Sequence, residues 1–373
     1  MKMSVWRYGC SGIFIAVGTG CSTSSGQDQL SQLFERIDVT VGVRTNAILA
    51  TFLDSDDILD LLVVGGDLVI SLQGHGDGHF DVVSSVPAGE NARGLASADL
   101  DGDGLQDLAV ANHDTEYVTL LFGVPGGGFE VRSSSRLHVN VSPHPHAVRL
   151  SDIDGDGHAD LLVDDRGAEA IRLYRSEGTG GFGEFTRISV GGDPYRGMLL
   201  ADLDGDDATD LVTPNPDHVS VLFGDGTGGF AQDTTLRPGF GPFSVAAADF
   251  NGDGLTDLAA GSGEGAGALA VWLGGAGGVF SAGGDYGLAV GPTKVAAADL
   301  TGDGQAEVIA TSYIGGEVAV LSGGGEATLY RIDLDGYPYG VATGDFDGDG
   351  RIDFAIANDG ADYITVFLSA EAP

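Results

Sequence analysis

The sequence predicts an all-β protein, a seven-bladed β-propeller with four-stranded blades that is closed by the N-terminal strand. Three observations predict this fold: an acid-rich loop that recurs seven times, a spacing of 46 to 53 residues between successive loops, and short apolar segments on both sides of each loop. A period of this length is typical of a repeated supersecondary unit, and four short strands fit one such unit as a propeller blade. One repeat domain is therefore expected in the 373 residues.

Each repeat has the same order of elements. A small-residue strand, such as residues 245–248, enters the acidic loop, and a second strand, such as 258–260, leaves it. A third strand ends in a turn, as at 219–224, and a fourth begins at a phenylalanine such as Phe230. Glycine, which makes up 63 residues, recurs with the turns and is not a sign of disorder.

The two ends of the repeat region complement each other. Only two strands, 354–357 and 363–368, follow the last loop, whereas the segment 34–42 aligns with the outer strand 185–191 of another repeat. The last blade is therefore expected to take its fourth strand from the N-terminal side, which would remove an open sheet edge.

The loops have the spacing of a calcium site. Three complete copies, which begin at Asp99, Asp152 and Asp345, place acids at positions 1, 3, 5 and 9 and glycine at position 6. Ca²⁺ takes six to eight oxygen ligands, and a tight loop supplies them as alternating carboxylates with a backbone carbonyl at position 7. An EF-hand is excluded, because it needs a bidentate Glu at position 12 and flanking helices.

About six calcium sites are predicted. Their ligands, at positions 1, 3, 5, 7 and 9, are Asp99, Asp101, Asp103, Leu105 and Asp107; Asp152, Asp154, Asp156, His158 and Asp160; Asp202, Asp204, Asp206, Ala208 and Asp210; Asp249, Asn251, Asp253, Leu255 and Asp257; Asp299, Thr301, Asp303, Gln305 and Glu307; and Asp345, Asp347, Asp349, Arg351 and Asp353. A seventh site at Asp54, Asp56 and Asp60 is doubtful, because Phe52 occupies its first position.

Residues 34–368 resemble the FG-GAP/VCBS repeat proteins, the calcium-loop β-propellers also found in the integrin α-chain head. The resemblance rests on the seven in-frame loops and on the hairpin sequences at 121–123 and 221–230. It implies the fold and the calcium, with the loops acting as structural pins. It also implies that partners use the opposite face, which is formed by the segments that enter each first strand and by the turns between the second and third strands.

A varied ring of residues lies six positions before each loop start, at the expected rim of the central channel. Its members are Asn46, Arg93, His146, Arg196, Phe243, Thr293 and Tyr339, and the neighbouring residues Arg44, His113, Tyr117, His144, Tyr195 and Tyr337 extend it. The candidate ligand-binding residues are Arg93, His146, Arg196, Phe243 and Tyr339. The alternative is ordinary loop sequence. His144 and His146 alone are weak evidence for a transition-metal site, because no third ligand is near them in sequence.

The first 33 residues have the pattern of an export signal and a tether. Residues 1–20 combine basic Lys2 and Arg7 with the short apolar segment 8–17, and Cys21 follows at a position that resembles a bacterial lipobox. We expect lipidation of Cys21, a polar tether over 21–33 and a short tail over 369–373. The protein is therefore expected to be lipid-anchored at the bacterial cell envelope, with Ser22 favouring the outer membrane; the alternative is a plain secretory signal that is cut nearby.

Composition narrows the function classes. A formal net charge of −38 disfavours nucleic acid and anionic lipid surfaces as partners, so membrane contact is expected through the lipid anchor only. We also expect a monomer. The sequence contains no nucleophile elbow, zinc-protease helix motif or phosphate loop. The leading hypothesis is a binding module for a protein or glycan. The alternatives are a polysaccharide lyase or glycoside-acting enzyme that uses the central channel, and a purely structural envelope component.

Overall fold

The computed structural model describes residues 33–370 apart from 134, 142, 195–196, 264–266, 289–290, 323–327 and 335, and it describes the backbone alone at 232 and 233. The export signal, Cys21 and most of the tether lie outside the described residues, as do Tyr195 and Arg196. No helix in the described part of the chain has the length and apolarity needed to cross a bilayer.

The described chain folds into 29 strands and one turn of 3₁₀ helix at Arg166–Ala168. The strands are β1 (Phe34–Thr40), β2 (Ala47–Thr51), β3 (Asp60–Gly65), β4 (Leu68–Gly74), β5 (Phe80–Pro87), β6 (Ala92–Ala98), β7 (Asp107–Asn112), β8 (Tyr117–Val124), β9 (Gly128–Glu130), β10 (Arg136–His138), β11 (Val148–Ser151), β12 (Asp160–Asp165), β13 (Ala170–Ser176), β14 (Phe182–Ser189), β15 (Leu199–Ala201), β16 (Asp210–Pro214), β17 (Val219–Gly224), β18 (Phe230–Leu236), β19 (Ser244–Ala248), β20 (Asp257–Gly261), β21 (Ala268–Gly275), β22 (Val279–Gly287), β23 (Lys294–Ala298), β24 (Glu307–Ser312), β25 (Glu317–Ser322), β26 (Thr328–Asp333), β27 (Pro338–Gly344), β28 (Asp353–Asn358) and β29 (Tyr363–Ser369).

These strands form seven antiparallel sheets, which confirms the predicted seven-bladed propeller. Blade I contains β2–β5, blade II β6–β10, blade III β11–β14, blade IV β15–β18, blade V β19–β22, blade VI β23–β26, and blade VII β27–β29 together with β1. The predicted closure is also confirmed: β1 pairs with β29 in antiparallel register, from Phe34 opposite Ser369 to Thr40 opposite Tyr363.

Blade II differs from the simple four-strand expectation. Its outer strand is broken into β9 and β10, and both pieces pair with β8. Residues between them turn back on themselves, because the Arg132 N–H donates to Ser135 Oγ and the Ser135 N–H donates to the Arg132 carbonyl.

The core consists of seven apolar clusters, and each one lies between two neighbouring blades. Blades I and VII, for example, share a cluster that contains Val63, Ile70, Ala355 and Val366. The clusters between the other neighbours repeat this arrangement around the ring. The first strands of all seven blades line a central channel of about 570 Å³.

The ring has two chemically different faces. The acidic loops join the first and second strands of each blade and form what we call the loop face. The turns between second and third strands lie at the opposite end, together with the segments that enter the first strands, and form what we call the mouth face.

Candidate functional site

Position 1 organises the loop backbone in each of the six near-complete loops. Asp99 Oδ1 accepts the N–H of Gly102 at 2.7 Å, and its Oδ2 accepts the N–H of Gly104 at 2.9 Å. The same two bonds recur from Asp152, Asp202, Asp249, Asp299 and Asp345. Asp207 replaces glycine at position 6 of its loop and adopts the same left-handed conformation, with φ of 67°. Aspartate tolerates this region better than most residues, so the departure from the pattern does not change the turn.

The carboxylate at position 9 is buried and accepts two hydrogen bonds in every loop. Asp107 Oδ2 accepts the N–H of Leu100 at 2.8 Å, and its Oδ1 accepts the N–H of Gly123, near the end of β8, at 2.7 Å. Equivalent backbone bonds are made by Asp60, Asp160, Asp210, Asp257 and Asp353. Glu307 accepts one backbone N–H and the hydroxyl of Ser322. This carboxylate therefore ties the loop to the third strand of its own blade.

Glycine in the hairpin sequence lets the third strand pass close to the loop backbone. A Cβ added at Gly123 would lie 2.6 Å from the Gln106 carbonyl oxygen, and one at Gly224 would lie 2.2 Å from the Thr209 carbonyl oxygen. Glycine holds this position in blades I, II, IV and V, whereas blade III has Ser176, whose N–H donates to Asp160 at 2.8 Å. Blade VII uses Ser369 instead, whose hydroxyl donates to the corresponding carbonyl of Ile352 at 2.6 Å.

Burial raises the pKa of all seven position 9 carboxyls, against the opposing effect of the N–H donors. The pKa reaches about 6 for Asp210 and Asp353. The other carboxylates of each loop contribute to the rise, because like charges disfavour ionisation. A cation would relieve this repulsion.

The loop carboxylates fit a calcium ion. One oxygen each from Asp99, Asp101 and Asp107 lies within 4.8 Å of the others, and three further loops each contain three carboxylates that meet the same limit. At position 3, Asp154 Oδ1 and Asp204 Oδ1 are buried and have no hydrogen-bond partner in the structure. A buried oxygen without a partner is costly, and a cation ligated by hard oxygens would satisfy it.

Arginines contact the three complete loops. Arg132 Nη1 lies 2.5 Å from Asp101 Oδ2, Arg175 contacts Asp154, and Arg351 contacts Asp349 within its own loop. The loops that begin at Asp202, Asp249 and Asp299 show no such pair among the described residues. The loop face thus contains positively charged arginine side chains as well as carboxylate clusters.

The mouth face contains a cavity of about 180 Å³. Its lining residues are Arg93, His113, His146, Lys294, Tyr313, Tyr339 and Asp359. Three of the five predicted ligand-binding residues, Arg93, His146 and Tyr339, are therefore brought together. Phe243 does not line this cavity; it packs over the backbone of Gly263, where an added Cβ would lie 2.8 Å from the Phe243 Cβ.

Tyrosines form one side of the cavity. The rings of Tyr313 and Tyr337 stack with centroids 5.2 Å apart, Tyr339 meets Tyr313 edge-on at 5.9 Å, and Lys294 Nζ lies 5.9 Å from the centre of the Tyr339 ring. Burial raises the pKa of Tyr313, and the Asp359 carboxylate raises it further. Tyr313 is therefore a protonated hydrogen-bond donor at neutral pH.

Tyr337 is held in an unusual backbone conformation. Its φ is +50°, and its ring is exposed to 54%. The Asp359 N–H donates to the Tyr337 carbonyl at 3.1 Å, and Gly360 approaches so closely that a Cβ there would lie 2.4 Å from Tyr337 Cδ2. Such conformations persist where the surrounding structure enforces them, and they cluster at binding sites.

Histidines form the other side. His113 follows β7 in blade II, while His144 and His146 precede β11 in blade III. The centroids of their rings are 3.8 to 4.7 Å apart, and burial lowers the pKa of His144 and His146. The fold thus brings His113 of blade II next to His144 and His146, which are close in sequence.

Sequence analysis did not single out Lys294, Tyr313 or Asp359. Tyr313 and Asp359 each come immediately after the second strand of their blade, which is also the position of His113. This shared position is the signal that could have identified them. Lys294 is the first residue of β23 and follows Thr293, a member of the predicted ring.

The sequence matches the FG-GAP-like repeat family in four overlapping segments, 99–163, 152–213, 202–260 and 249–310. Together they cover more than half of the chain. The chain belongs to the FG-GAP-like repeat family. No curated protein matches this FG-GAP-like repeat protein.

Two solved structures share the fold of this FG-GAP-like repeat protein. One is an Agrocybe aegerita lectin described as recognising non-reducing terminal N-acetylglucosamine; it is 19% identical over 87% of this chain and 93% of that chain, with a TM-score of 0.53. The other is a functionally unknown protein from Desulfotomaculum acetoxidans DSM 771; it is 13% identical over 80% of this chain and 96% of that chain, with a TM-score of 0.58. At these identities the likeness shows the fold alone.

Proposed function

We propose that this FG-GAP-like repeat protein is a glycan-binding module whose ligand site is the cavity at the mouth face. The observation that carries the proposal is the convergence of Arg93, Lys294 and Asp359 with the rings of Tyr313 and Tyr339 on one cavity. Small-molecule sites are concave and combine aromatic surface with a few polar groups that fix orientation. Tyrosine and arginine are also the side chains that dominate binding energy at recognition surfaces.

The volume of the cavity favours a single ligand unit. About 180 Å³ is below the range of about 300–1,000 Å³ for drug-sized sites. A terminal sugar residue suits this space, with one face against a tyrosine ring and its hydroxyls towards the charged groups. The lectin with the same fold, described as recognising a terminal sugar, is consistent with this choice.

Binding of the full chain to a glycan array in millimolar calcium tests the proposal. Arg93→Ala should lose binding, whereas Arg187→Ala, which removes an exposed arginine from β14, should retain it. Equal loss in both variants, or the absence of any glycan ligand, would refute the assignment of the site.

A lyase is the second candidate, because the cavity also brings His146 next to Arg93 and Tyr339. Polysaccharide lyases need a base that removes a proton from the sugar ring. The raised pKa of Tyr313 keeps its hydroxyl protonated at neutral pH, whereas burial lowers the pKa of His146 and favours its neutral imidazole, so the role of base would fall to His146. Release of unsaturated sugars from polysaccharides, measured beside the array, would establish this activity in place of simple binding.

We further propose that the six near-complete loops hold calcium and that Cys21 carries the lipid anchor. Calcium, when bound, supplies positive charge that offsets the repulsion between carboxylates in each loop. A Cys21→Ser variant should move from the membrane fraction to the soluble fraction, because a doubly acylated cysteine is the kind of anchor that holds a protein stably at a membrane. Membrane association at the wild-type level in that variant would refute the anchor.

A further inference from the structure

We propose that His113, His144 and His146 form a binding site for a divalent transition-metal ion of the zinc class at the rim of the mouth-face cavity. One ring nitrogen from each of the three residues lies within 4.8 Å of the others. Zinc takes imidazole nitrogens at about 2.0–2.1 Å in tetrahedral geometry, which places the nitrogens about 3.3 Å apart. To reach that spacing the side chains must rotate, and the rings of His113 and His144, whose centroids are 3.8 Å apart, must separate.

The carboxylates around the cluster are those expected of a metal site. Asp114 Oδ1 lies 2.7 Å from His113 Nδ1, and Asp164 Oδ2 lies 3.6 Å from His146 Nδ1. Histidines that bind metals typically direct their second nitrogen to a carboxylate, which orients the ring. With Nδ1 facing a carboxylate in both rings, Nε2 is the nitrogen that each would offer to an ion.

These carboxylates are themselves fixed in place. Asp164 is fully buried, and its Oδ1 accepts the backbone N–H groups of His146 and Ala147, each at 2.8 Å. Asp114 Oδ2 accepts the side-chain amide of Asn91 at 2.9 Å. The polypeptide therefore holds both supporting groups before any ion arrives.

The ligand atoms of this histidine cluster differ from those of the loop face. Imidazole nitrogens suit zinc, copper, nickel and iron, whereas the all-oxygen loops suit calcium. Three protein ligands leave a fourth coordination position, as in open zinc sites, and His113 and His146 line the cavity into which that position would face.

Calorimetric titration of the full chain with zinc, in millimolar calcium that saturates the loops, tests the proposal. We expect one zinc ion per chain with micromolar or tighter affinity. His144→Ala and His113→Ala should each weaken binding by about tenfold or more, while His79→Ala, which removes an exposed histidine from a β4–β5 turn, should leave it unchanged.

Asp114→Asn provides a variant that removes no ligand. It should weaken zinc binding by about tenfold, because it alters only the group that orients His113. The melting temperature of each variant in calcium shows whether it is folded, and Asp114→Asn keeps the test decisive if an imidazole variant misfolds. Absence of zinc binding to the wild-type chain, or equal affinity in the wild-type, His144→Ala and Asp114→Asn proteins, would overturn the proposal. Because the readout is zinc itself, this result is independent of whether the cavity binds a glycan.

Discussion

The loop face and the mouth face are built from the same seven repeats, yet only the loop face repeats its chemistry. Position 9 has a buried carboxylate in every blade, which accepts two backbone N–H groups in six blades and one N–H and a hydroxyl in blade VI. On the mouth face, equivalent positions hold side chains as different as Asn46, His146 and Tyr339. The difference indicates that the repeated residues maintain the fold and that the non-repeated residues are the candidates for ligand recognition.

Among the tests of this comparison, removal of calcium should have the largest effect on stability. With module affinities of about 10⁻⁴–10⁻³ M, six independent sites in millimolar calcium contribute about 2–8 kcal/mol to the free energy of unfolding. Excess EDTA should then lower the melting temperature by roughly 3–11 °C. An unchanged melting temperature, in protein shown by metal analysis to be calcium-free, would mean that calcium in the loops does not stabilise the fold.

The first loop distinguishes the two roles of the loop acids, which are hydrogen bonding to the backbone and calcium binding. Asp60 keeps both backbone hydrogen bonds although Phe52 occupies position 1, and Asp54 accepts the side-chain amide of Gln73 at 2.6 Å. Asp60→Ala leaves two N–H groups unsatisfied, at about 1–3 kcal/mol each. We expect a loss of about 2–6 kcal/mol of stability in calcium and in EDTA alike. A loss that disappears in EDTA would show that this carboxylate acts through a metal.

A matched pair at position 5 isolates the contribution of one ion. Asp103 accepts the N–H of Leu105 at 2.9 Å, and Asp56 accepts that of Ile58 at 3.0 Å, so the two residues make the same local bond. Asp103→Ala should cost about 0.4–1.4 kcal/mol more in calcium than in EDTA, because it weakens one site. Asp56→Ala should show the same cost in both buffers. Thermal melts of the two variants measure the difference, and identical calcium dependence would count against six distinct sites.

The smallest effect on stability is expected at the mouth face. An Arg93→Ala/Tyr339→Ala variant should abolish ligand binding while its calcium-dependent melting stays within about 0.5 kcal/mol of the wild type, because it alters no loop carboxylate. A folded Asp103→Ala protein should still bind. If the double variant binds normally and the folded Asp103→Ala protein does not, the recognition face has been assigned to the wrong end of the ring.

The fold was predictable because its signals are local and repeated. Seven loops in frame gave the number of blades, and the likeness of 34–42 to 185–191 gave the closing strand, which the pairing of β1 with β29 confirms. The break between β9 and β10 was not predicted, since it depends on a single turn at Arg132 and Ser135.

The mouth face was predictable only in outline. The ring position identified Arg93, His146 and Tyr339, but His113 reaches His144 and His146 from another blade, and no local pattern encodes that meeting. Tyr313 and Asp359 follow buried strands that look alike in sequence. Which of these side chains point towards one cavity depends on how neighbouring blades pack.

The pairing of β1 with β29 has a consequence for how the protein is made. Thr365 donates its hydroxyl to Asp38 across 327 residues of chain, and this contact belongs to the pair of strands that shuts the ring. Because β1 is synthesised well before β29, its hydrogen-bonding edge stays uncovered until β29 is available. Bringing together segments so far apart makes closure a slow, late step, because the entropy of so long a loop must be given up before the contacts can form. Until the ring closes, the unpaired edges of β1 and β29 are both open to pairing with other chains, which makes them the sites most exposed to aggregation during folding.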